Sequence, residues 1–231
     1  MPELLSFDLE TTGVNPHVDC PVSYGIVRQG LTDEGGAVDC ESGYINPGVP
    51  IPAAASAIHG ITNEMVLSAP SVAKEVPRLI EVLRSTWRAG GVVVGMNVSY
   101  DLTMLDALNV RLGHGKLDSE ELGPVIDVLV LDRHVDRFRR GRRTLGALCA
   151  VYGVDVVNAH RAVDDAQASL EILRALYVRY PQLRELSHSE CNDTVGGWYR
   201  DWLSSFSQHR IRTGEPPIAD GQFEWPIHAR E

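Results

Sequence analysis

Positive charge is scarce in this sequence. Against 31 Asp and Glu residues stand 21 Lys and Arg among 231 residues, which gives a formal net charge of −10. Holding nucleic acid through bulk charge requires a net basic surface. The composition therefore excludes a protein that binds nucleic acid by its overall charge, although it does not exclude an acidic catalytic centre that meets nucleic acid locally.

Long apolar segments and clustered cysteines are also missing. No apolar run approaches the ~18 residues of a membrane-spanning helix, and residues 1–3 lead into strand-like sequence without the basic segment of a signal peptide. Cys20, Cys40, Cys149 and Cys191 are scattered, with no C-x-x-C pair and no metal-ligand spacing. We therefore expect a cytoplasmic protein with reduced thiols and no membrane partner.

The remaining composition is that of a globular chain. Hydrophobic residues make up 44% of the sequence and charged residues 23%, which is enough apolar side chain to close a core. The length fits one large domain or a domain with an appendage. Residues 198–231 hold 6 of the 15 aromatic residues, so we expect a domain over residues 1–182 and a C-terminal extension, an aromatic-rich helix with an irregular tail, over residues 183–231.

The apolar patterns predict strands first and helices later. Short apolar runs predict strands at 4–10, 22–28 and 37–45, and a buried strand at 91–96. Helical spacing is found at 71–88, 100–112, 144–152 and 163–180. Ser71 is a candidate N-cap of the first of these helices, and Pro77 would kink that helix or mark its true start. Residues 125–131 fit a strand or the start of a helix equally well. This order indicates an α/β fold, a sheet with helices packed on its faces.

Two carboxylates flank Leu9 in the first predicted strand. Asp8 and Glu10 are two residues apart, so both side chains point to the same side of the strand. Unpaired carboxylates beside a buried strand are costly, and a divalent cation is a common way to neutralise them. A solvent-exposed D-x-E on an edge strand is the alternative for this motif taken alone.

Two further polar clusters follow along the chain. Asn97 and Asp101 come directly after the buried strand at 91–96, where Asp101 is either a cleft residue or an ordinary acidic residue in the first turn of a helix. His160 and Asp165 are five residues apart and would not share a face of one regular helix. Both can reach one site if His160 lies in the loop before the helix and Asp165 in its first turn. Alternatively, an aspartate here serves only as a helix cap.

Taken together, the three clusters resemble a known pattern. F-D-L-E-T-T-G at residues 7–13, N-x-x-x-D at 97–101 and H-x-A-x-x-D-A at 160–166 resemble the motifs of the DnaQ-like 3′–5′ exonucleases, in the DEDDh branch with four acidic residues and a histidine. I-H-G-I-T at residues 58–62 is similar to the segment found in exonuclease domains of the polymerase III epsilon type. The resemblance covers about residues 3–176.

This resemblance implies a fold, a cofactor and a set of site residues. It implies a ribonuclease H-like mixed sheet flanked by helices, and two Mg²⁺ or Mn²⁺ ions that bracket a phosphodiester. The implied metal ligands are Asp8, Glu10, Asp101 and Asp165, and the implied general base is His160. The implied contacts to the terminal nucleotide are Thr11, Thr12, Gly13, Ile58, His59 and Asn97.

The chain departs from the family pattern at two positions. Epsilon-type members often carry a histidine before the second-motif asparagine, where this chain has Met96, so either a phosphate contact is missing there or another residue supplies it. The phenylalanine before the second-motif aspartate is Tyr100 here.

Outside the motifs, two features invite a functional interpretation. Six arginines fall within residues 133–143, which is either a local phosphate contact or a solvated surface. In the extension, an apolar helical stripe is typical of core packing, with partner docking as the alternative. The stripe consists of Val195, Trp198, Tyr199, Trp202 and Phe206.

The function expected from the resemblance is a metal-dependent 3′–5′ exonuclease. It would release nucleoside 5′-monophosphates, with single-stranded DNA 3′ ends as substrate and a DNA polymerase or replisome as a candidate partner in replication or repair. One alternative is an exoribonuclease of the same fold that trims RNA 3′ ends, since nothing in the sequence identifies a contact to the 2′-hydroxyl. The other alternative is a catalytically silent polymerase-binding module, which would be expected to lose the acidic residues that are present here.

Overall fold

A computed structural model describes residues 3–30, 38–155 and 160–229, and these residues form a mixed sheet with helices on both faces. The strands are β1 (Glu3–Thr11), β2 (Pro21–Gly30), β3 (Val38–Tyr44), β4 (Val92–Gly95) and β5 (Val125–Asp127). The α-helices of this described part are α1 (Ala53–His59), α2 (Asn63–Val66), α3 (Val72–Arg88), α4 (Val98–Arg111), α5 (Val128–Val135), α6 (Leu145–Tyr152), α7 (Ala162–Arg179) and α8 (Cys191–Arg212). The predicted α/β class and the mixed sheet are confirmed.

The strand order is β3-β2-β1-β4-β5. β1, β2 and β3 pair as antiparallel neighbours, whereas β1 with β4 and β4 with β5 are parallel pairs. β1 is therefore central, and its alternating side chains reach two separate cores. Leu5, Phe7 and Leu9 pack with α3 and α4, while Leu4 packs on the side of α5 to α8. Because side chains alternate along a strand, Asp8 and Glu10 lie on the same side of the sheet as Leu4.

Several predicted boundaries need correction. The segment 125–131 holds both alternatives in succession, since β5 ends at Asp127 and α5 begins at Val128. Pro77 lies inside α3, which begins at Val72, so the proline does not mark the start of the helix. The sequence patterns did not predict α1 or α2. α1 has no buried residues, so it carries no apolar periodicity from which a helix could be inferred.

The aromatic-rich extension packs on the rest of the sheet. Cys191, Val195, Tyr199 and Leu203 of α8 are buried in the same core as β5 and α7, which agrees with the core interpretation of the apolar stripe. Phe206, at the end of that stripe, is 37% exposed. Within the described residues, no helix is long and apolar enough to cross a membrane.

Candidate active site

Three carboxylates, two from β1 and one from α7, lie close together on one face of β1. One oxygen each of Asp8, Glu10 and Asp165 lies within 4.8 Å of the others. β1 supplies the first two through its two-residue repeat, and the first turn of α7 supplies the third. Oδ1 of Asp165 is buried and has no hydrogen-bond partner among the described residues. An oxygen-only donor set with a free buried oxygen suits a hard divalent cation.

Asp101 extends this cluster from the first turn of α4. It is 4% exposed, and its Oδ1 accepts a hydrogen bond of 3.2 Å from the backbone N–H of Leu9, the residue between Asp8 and Glu10. This bond ties the start of α4 to the strand that carries two of the other carboxylates. The structure thus brings together the four acidic residues that the motifs singled out.

Burial and mutual repulsion disfavour the charged forms of these groups. The pKa of Asp8 lies well above its usual value because the carboxyl is buried and because Asp101, Asp165 and Glu10 add negative charge. Burial, with a contribution from Asp165, raises the pKa of Glu10 to about 7. Burial is also the main cause of the raised pKa values of Asp101 and Asp165. When ionised, these carboxylates repel one another, and a cation bound among their oxygens would reduce that repulsion.

A glycine allows α7 to approach this face closely. Gly25 of β2 is the cross-strand partner of Asp8, and a Cβ at Gly25 would lie 2.2 Å from the backbone of Ala162 and Val163. The start of α7 therefore rests directly on the β2 backbone. This contact places Asp165, three residues further on, next to Asp8.

His160 precedes α7 in a left-handed backbone conformation with φ of 69°. Its side chain is exposed, and its backbone contacts the Asp165 carboxylate and lowers the pKa of that group against the effect of burial. The placement is the one that lets both residues reach one site, with the histidine before the helix and the aspartate in its first turn. His160 lines a cleft of about 390 Å³ together with His59, Ile61 and Ala162.

The turn after the first motif is held by side chains of its own. The hydroxyls of Thr11 and Tyr100 both donate to the carbonyl oxygen of Gly13, at 2.7 and 2.6 Å. The hydroxyl of Thr12 is buried, donates to Asp19 and accepts from the backbone N–H of Cys20. Thr12 therefore shapes the turn from inside, while Thr11 and Gly13 lie at the partly open side of the site. The hydroxyl of Tyr100, which a phenylalanine would lack, bonds this turn to α4.

The I-H-G-I-T segment carries two of the remaining predicted contact residues. Ile58 is 63% exposed at the end of α1. Nδ1 of His59 accepts a hydrogen bond of 3.0 Å from the backbone N–H of Ile61. Burial, together with the proximity of His160, lowers the pKa of His59, an effect opposed by the backbone of Thr11. His59 therefore contacts the first motif at Thr11 and also lines the cleft of His160.

Asn97 is positioned by a buried carboxylate that the motif analysis did not single out as a site residue. Asp127 accepts hydrogen bonds from the backbone N–H groups of Asn97 at 3.0 Å and Val98 at 3.1 Å, and from that of Leu129 at 2.8 Å. It thus joins the starts of α4 and α5, and Asn97 adopts a left-handed conformation with φ of 60°. Met96 packs against the core on the α5 to α8 side, so that side chain contributes to packing.

The arginine-rich segment divides into two groups. Asp132, fully buried in α5, accepts hydrogen bonds from Arg139 at 2.8 Å, from Arg143, and from the hydroxyl of Tyr152 at 2.8 Å. The guanidinium carbon of Arg133 lies 3.3 Å from the ring centre of Trp202 in α8. These three arginines serve the protein interior, because a buried carboxylate requires paired donors and an aromatic face attracts a cation.

The other group points outward. Arg137, Arg140 and Arg142 are exposed on the loop between α5 and α6. Neither Arg140 nor Arg142 forms an ion pair with a residue that the structure describes. Only this exposed group remains available for the predicted phosphate contact.

Known protein sequences match most of this chain. The sequence profile of the exonuclease family RNase_T matches residues 5–173. The chain is 28% identical over 193 residues to a PolC-type DNA polymerase III of Caldanaerobacter subterraneus, and 30% identical over 192 residues to that of Oceanobacillus iheyensis. The alignments cover 84% and 82% of this chain but only 13% and 12% of those polymerases.

Solved structures show the same fold. An Escherichia coli ExoI–ssDNA complex in its zinc-bound form superimposes with a TM-score of 0.68 at 19% identity, over 92% of this chain and 45% of that one. Exonuclease X in complex with 5′ overhanging duplex DNA gives a TM-score of 0.57 at 20% identity, over 84% of this chain and 99% of that one. Because the family profile spans most of the chain and the fold agrees with it, the chain belongs to the RNase_T exonuclease family, as the DnaQ-like motifs predicted.

Proposed function

We propose that the protein is a metal-dependent 3′–5′ exonuclease that releases nucleoside 5′-monophosphates from single-stranded DNA. The observation that carries the proposal is the convergence of Asp8, Glu10 and Asp165 within 4.8 Å, with Asp101 bound to the strand between the first two. Four carboxylates gathered at one opening beside a histidine suit phosphodiester hydrolysis better than a binding module, which has no need of so unfavourable a cluster.

The four carboxylates would hold two Mg²⁺ or Mn²⁺ ions. Bound divalent ions supply Lewis acidity toward the phosphoryl oxygens and make water a better nucleophile at neutral pH. The donor set fits this cofactor, since all four residues offer oxygen and a buried oxygen of Asp165 is unpartnered among the described residues.

His160 would act as the general base. It is exposed at the cleft and precedes the helix that carries Asp165, so its imidazole can accept a proton from the attacking water. The oxygen of that water forms the new bond to phosphorus, and the bond between phosphorus and the 3′ oxygen of the preceding nucleotide breaks. The products are a nucleoside 5′-monophosphate and a strand one nucleotide shorter that ends in a 3′-hydroxyl.

The terminal nucleotide would lie between the first-motif turn and the I-H-G-I-T segment. Thr11 and Gly13 border the opening from one side, Ile58 and His59 from another, and Asn97 lies at the start of α4. We place Thr12 behind them as a residue that shapes the turn. Backbone, sugar and stacking contacts of this kind tolerate any base.

The choice of DNA is supported by the relatives. The superimposed ExoI structure is named as a complex with single-stranded DNA, and the sequence relatives are DNA polymerases. We therefore favour a proofreading or repair role at DNA 3′ ends that a polymerase extends, over trimming of RNA. The alternative of a silent module is disfavoured by the assembled carboxylates.

The direct test uses the purified chain with Mg²⁺ or Mn²⁺ on matched DNA and RNA oligonucleotides, single- and double-stranded and labelled at the 5′ end. We expect a ladder of single-stranded DNA products shortened from the 3′ end and release of 5′-monophosphates, with no reaction in EDTA. Faster degradation of the RNA oligonucleotides would favour the exoribonuclease alternative. Intact substrates under all conditions would favour the silent module.

A further inference from the structure

A second opening adjoins the proposed active site on its α4 side. It is a groove of about 530 Å³ lined by residues 14–17, by Asn97 and Tyr100, and by Gln222, His228 and Ala229 of the C-terminal tail. Asn97 and Tyr100 flank the start of α4, where Asp101 belongs to the carboxylate cluster. The groove therefore lies beside the helix start that carries Asp101, and its other wall is a segment beyond the family match at residues 5–173.

Both walls of the groove are fixed to the domain. On one side, Asp19 accepts a hydrogen bond of 2.8 Å from the backbone N–H of Asn15, and Arg111 of α4 donates to the carbonyl oxygens of Val18 and Asp19 at 2.8 and 3.2 Å. These bonds hold the 14–17 turn against α4. This side of the groove is therefore held in place by hydrogen bonds.

The tail forms the opposite wall. The hydroxyl of Tyr199 in α8 donates to the carbonyl oxygen of Gln222 at 2.9 Å, and the backbone N–H of His228 donates to the hydroxyl of Thr103 in α4 at 2.9 Å. The backbone N–H of Ala229 also bonds to the carbonyl of Gly221 at 3.0 Å. The tail is therefore anchored to α8 and to the same helix that carries Asp101.

The lining of the groove suits a strand of nucleic acid. None of the described residues that line it is acidic, although the whole chain carries a net charge of −10. Asn15, Asn97 and Gln222 offer neutral amides, and His17 and His228 offer imidazoles. Such groups exchange hydrogen bonds with sugars and bases without repelling phosphates. The volume lies within the range of ~300–1,000 Å³ typical of ligand sites.

We propose that this groove holds the single-stranded DNA segment that precedes the terminal nucleotide, so that the C-terminal tail forms one side of the substrate path. The inference rests on the proposed function and extends it. The tail would then contribute to affinity for longer strands, while the carboxylate cluster and His160 act on the terminal phosphodiester.

Charge substitutions at Gln222 test this placement. Gln222→Glu would set a carboxylate beside the phosphates of the strand, and Gln222→Arg would set a cation there. The matched controls are Gln208→Glu and Gln208→Arg, which make the same charge changes at an exposed position of α8. Two substrates are compared at low salt, a dT12 oligonucleotide and the p-nitrophenyl ester of thymidine 5′-monophosphate, which is too short to enter the groove.

The measured quantity is the KM of the oligonucleotide divided by the KM of the ester. Gln222→Glu should raise this ratio by roughly threefold or more and Gln222→Arg should lower it, because the added charge lies near phosphates at the wall of the groove. The Gln208 variants should leave the ratio unchanged. Equal ratios in the Gln222 and Gln208 pairs would overturn the inference.

Binding of labelled dT12 in Ca²⁺ separates this inference from the proposed function. If the wild type hydrolyses neither substrate, the proposed exonuclease activity is wrong. The dissociation constants of the four variants then still decide whether the groove binds DNA, because opposite shifts for the two Gln222 variants would support it. Absence of measurable binding by the wild type would overturn it.

Discussion

Gly25 lies opposite Asp8 in the antiparallel pairing of β1 and β2, and the volume that a side chain at Gly25 would need is filled by the backbone of Ala162. Backbone atoms cannot rotate aside as a flexible side chain does. Any side chain at this position would therefore push the start of α7 away from the sheet. The close approach of Asp165 to Asp8 depends on the absence of a Cβ at residue 25.

Gly25→Ala should consequently impair both stability and activity. Overpacking of a tight contact costs about 1–3 kcal/mol, and a displacement of a catalytic group by about 1 Å can lower a rate roughly 100-fold. Gly30→Ala is the control, because it lies in the same strand and no described residue comes within 4 Å of its added Cβ. Melting temperature and exonuclease rate are measured for both. If Gly25→Ala matches Gly30→Ala in both measurements, the contact with α7 does not set the site geometry.

Removing a charge from the cluster should separate activity from stability. Asp8→Asn and Asp165→Asn each remove a proposed metal ligand, so we expect the rate to fall by orders of magnitude. The melting temperature of the metal-free protein should hold or rise, because a neutral side chain avoids the burial of charge and the repulsion that together raise the pKa of Asp8. Asp201→Asn, at an exposed position of α8, controls for the change in net charge. A rate for either active-site variant within about tenfold of the wild type would contradict the metal assignment.

The raised pKa of Glu10 predicts how the metal-free protein responds to pH. The carboxyl has an ordinary value of 4.5 and a value of about 7 in the folded protein, so the folded state retains a proton that the unfolded state releases between these values. Its contribution to stability is fully present below about pH 4.5 and is lost as the pH rises through about 7. We expect the melting temperature in EDTA to fall between pH 5 and 8.

Metal binding requires the ionised carboxylates. Because the pKa of Glu10 is raised, the gain in stability from added metal should depend on pH in the opposite direction. Stabilisation by Mg²⁺ should therefore grow over the pH range in which the metal-free protein weakens. Glu10→Gln should flatten the fall seen in EDTA, whereas Glu185→Gln, an exposed carboxylate of the extension, should not. Identical pH profiles for these two variants would show that Glu10 does not retain its proton in the folded state.

The sequence was most informative where residues carry a pattern. The alternation around Asp8 and Glu10 predicted their shared face, and the five-residue spacing of His160 and Asp165 was compatible with a shared site in the loop-then-helix arrangement that the structure shows. The apolar runs located β1 to β4, whereas the segment that holds β5 fitted a strand or a helix start equally well.

Other parts of the site carry no such pattern. The role of Gly25 depends on a helix that begins 137 positions later in the chain, although a glycine inside a strand is a general sign of close backbone approach. The sequence did not mark Asp127 as a site residue. Its role is shown by the hydrogen bonds that it accepts from the backbone N–H groups of Asn97 and Val98. The arginine segment was ambiguous for the same reason, since only the contacts with the buried Asp132 and with Trp202 separate interior arginines from exposed ones.

The exposed arginines of this segment are the ones expected to contact phosphates. Replacing the exposed Arg140 and Arg142 together with Ala should weaken binding of a DNA oligonucleotide and flatten the dependence of affinity on salt, because fewer counterions are released. Stability should change by only about 0.5 kcal/mol or less, as for other surface substitutions. Fluorescence anisotropy at several salt concentrations measures the slope. An unchanged slope would leave these arginines as an ordinary solvated surface.

Arg143→Ala provides the contrast. It removes one of the donors to the fully buried Asp132, and breaking a buried ion pair typically costs about 3–5 kcal/mol. The remaining partners, Arg139 and Tyr152, should reduce this loss. We expect the melting temperature to fall more for Arg143→Ala than for the double variant of Arg140 and Arg142. The loss of DNA affinity should be larger for the double variant.

The assignment of proton transfer to His160 needs a variant that keeps the backbone intact. His160 has a φ of 69°, a conformation that asparagine tolerates better than most residues, so His160→Asn removes the base without straining the start of α7. We expect the single-turnover rate to fall by roughly 10²–10⁴-fold, the usual contribution of a general base. Mn²⁺ affinity and oligonucleotide affinity should stay at the wild-type level, because the metal ligands in our proposal are the four carboxylates. Loss of Mn²⁺ binding in parallel with the rate would make His160 a ligand, and the proton would then need another acceptor.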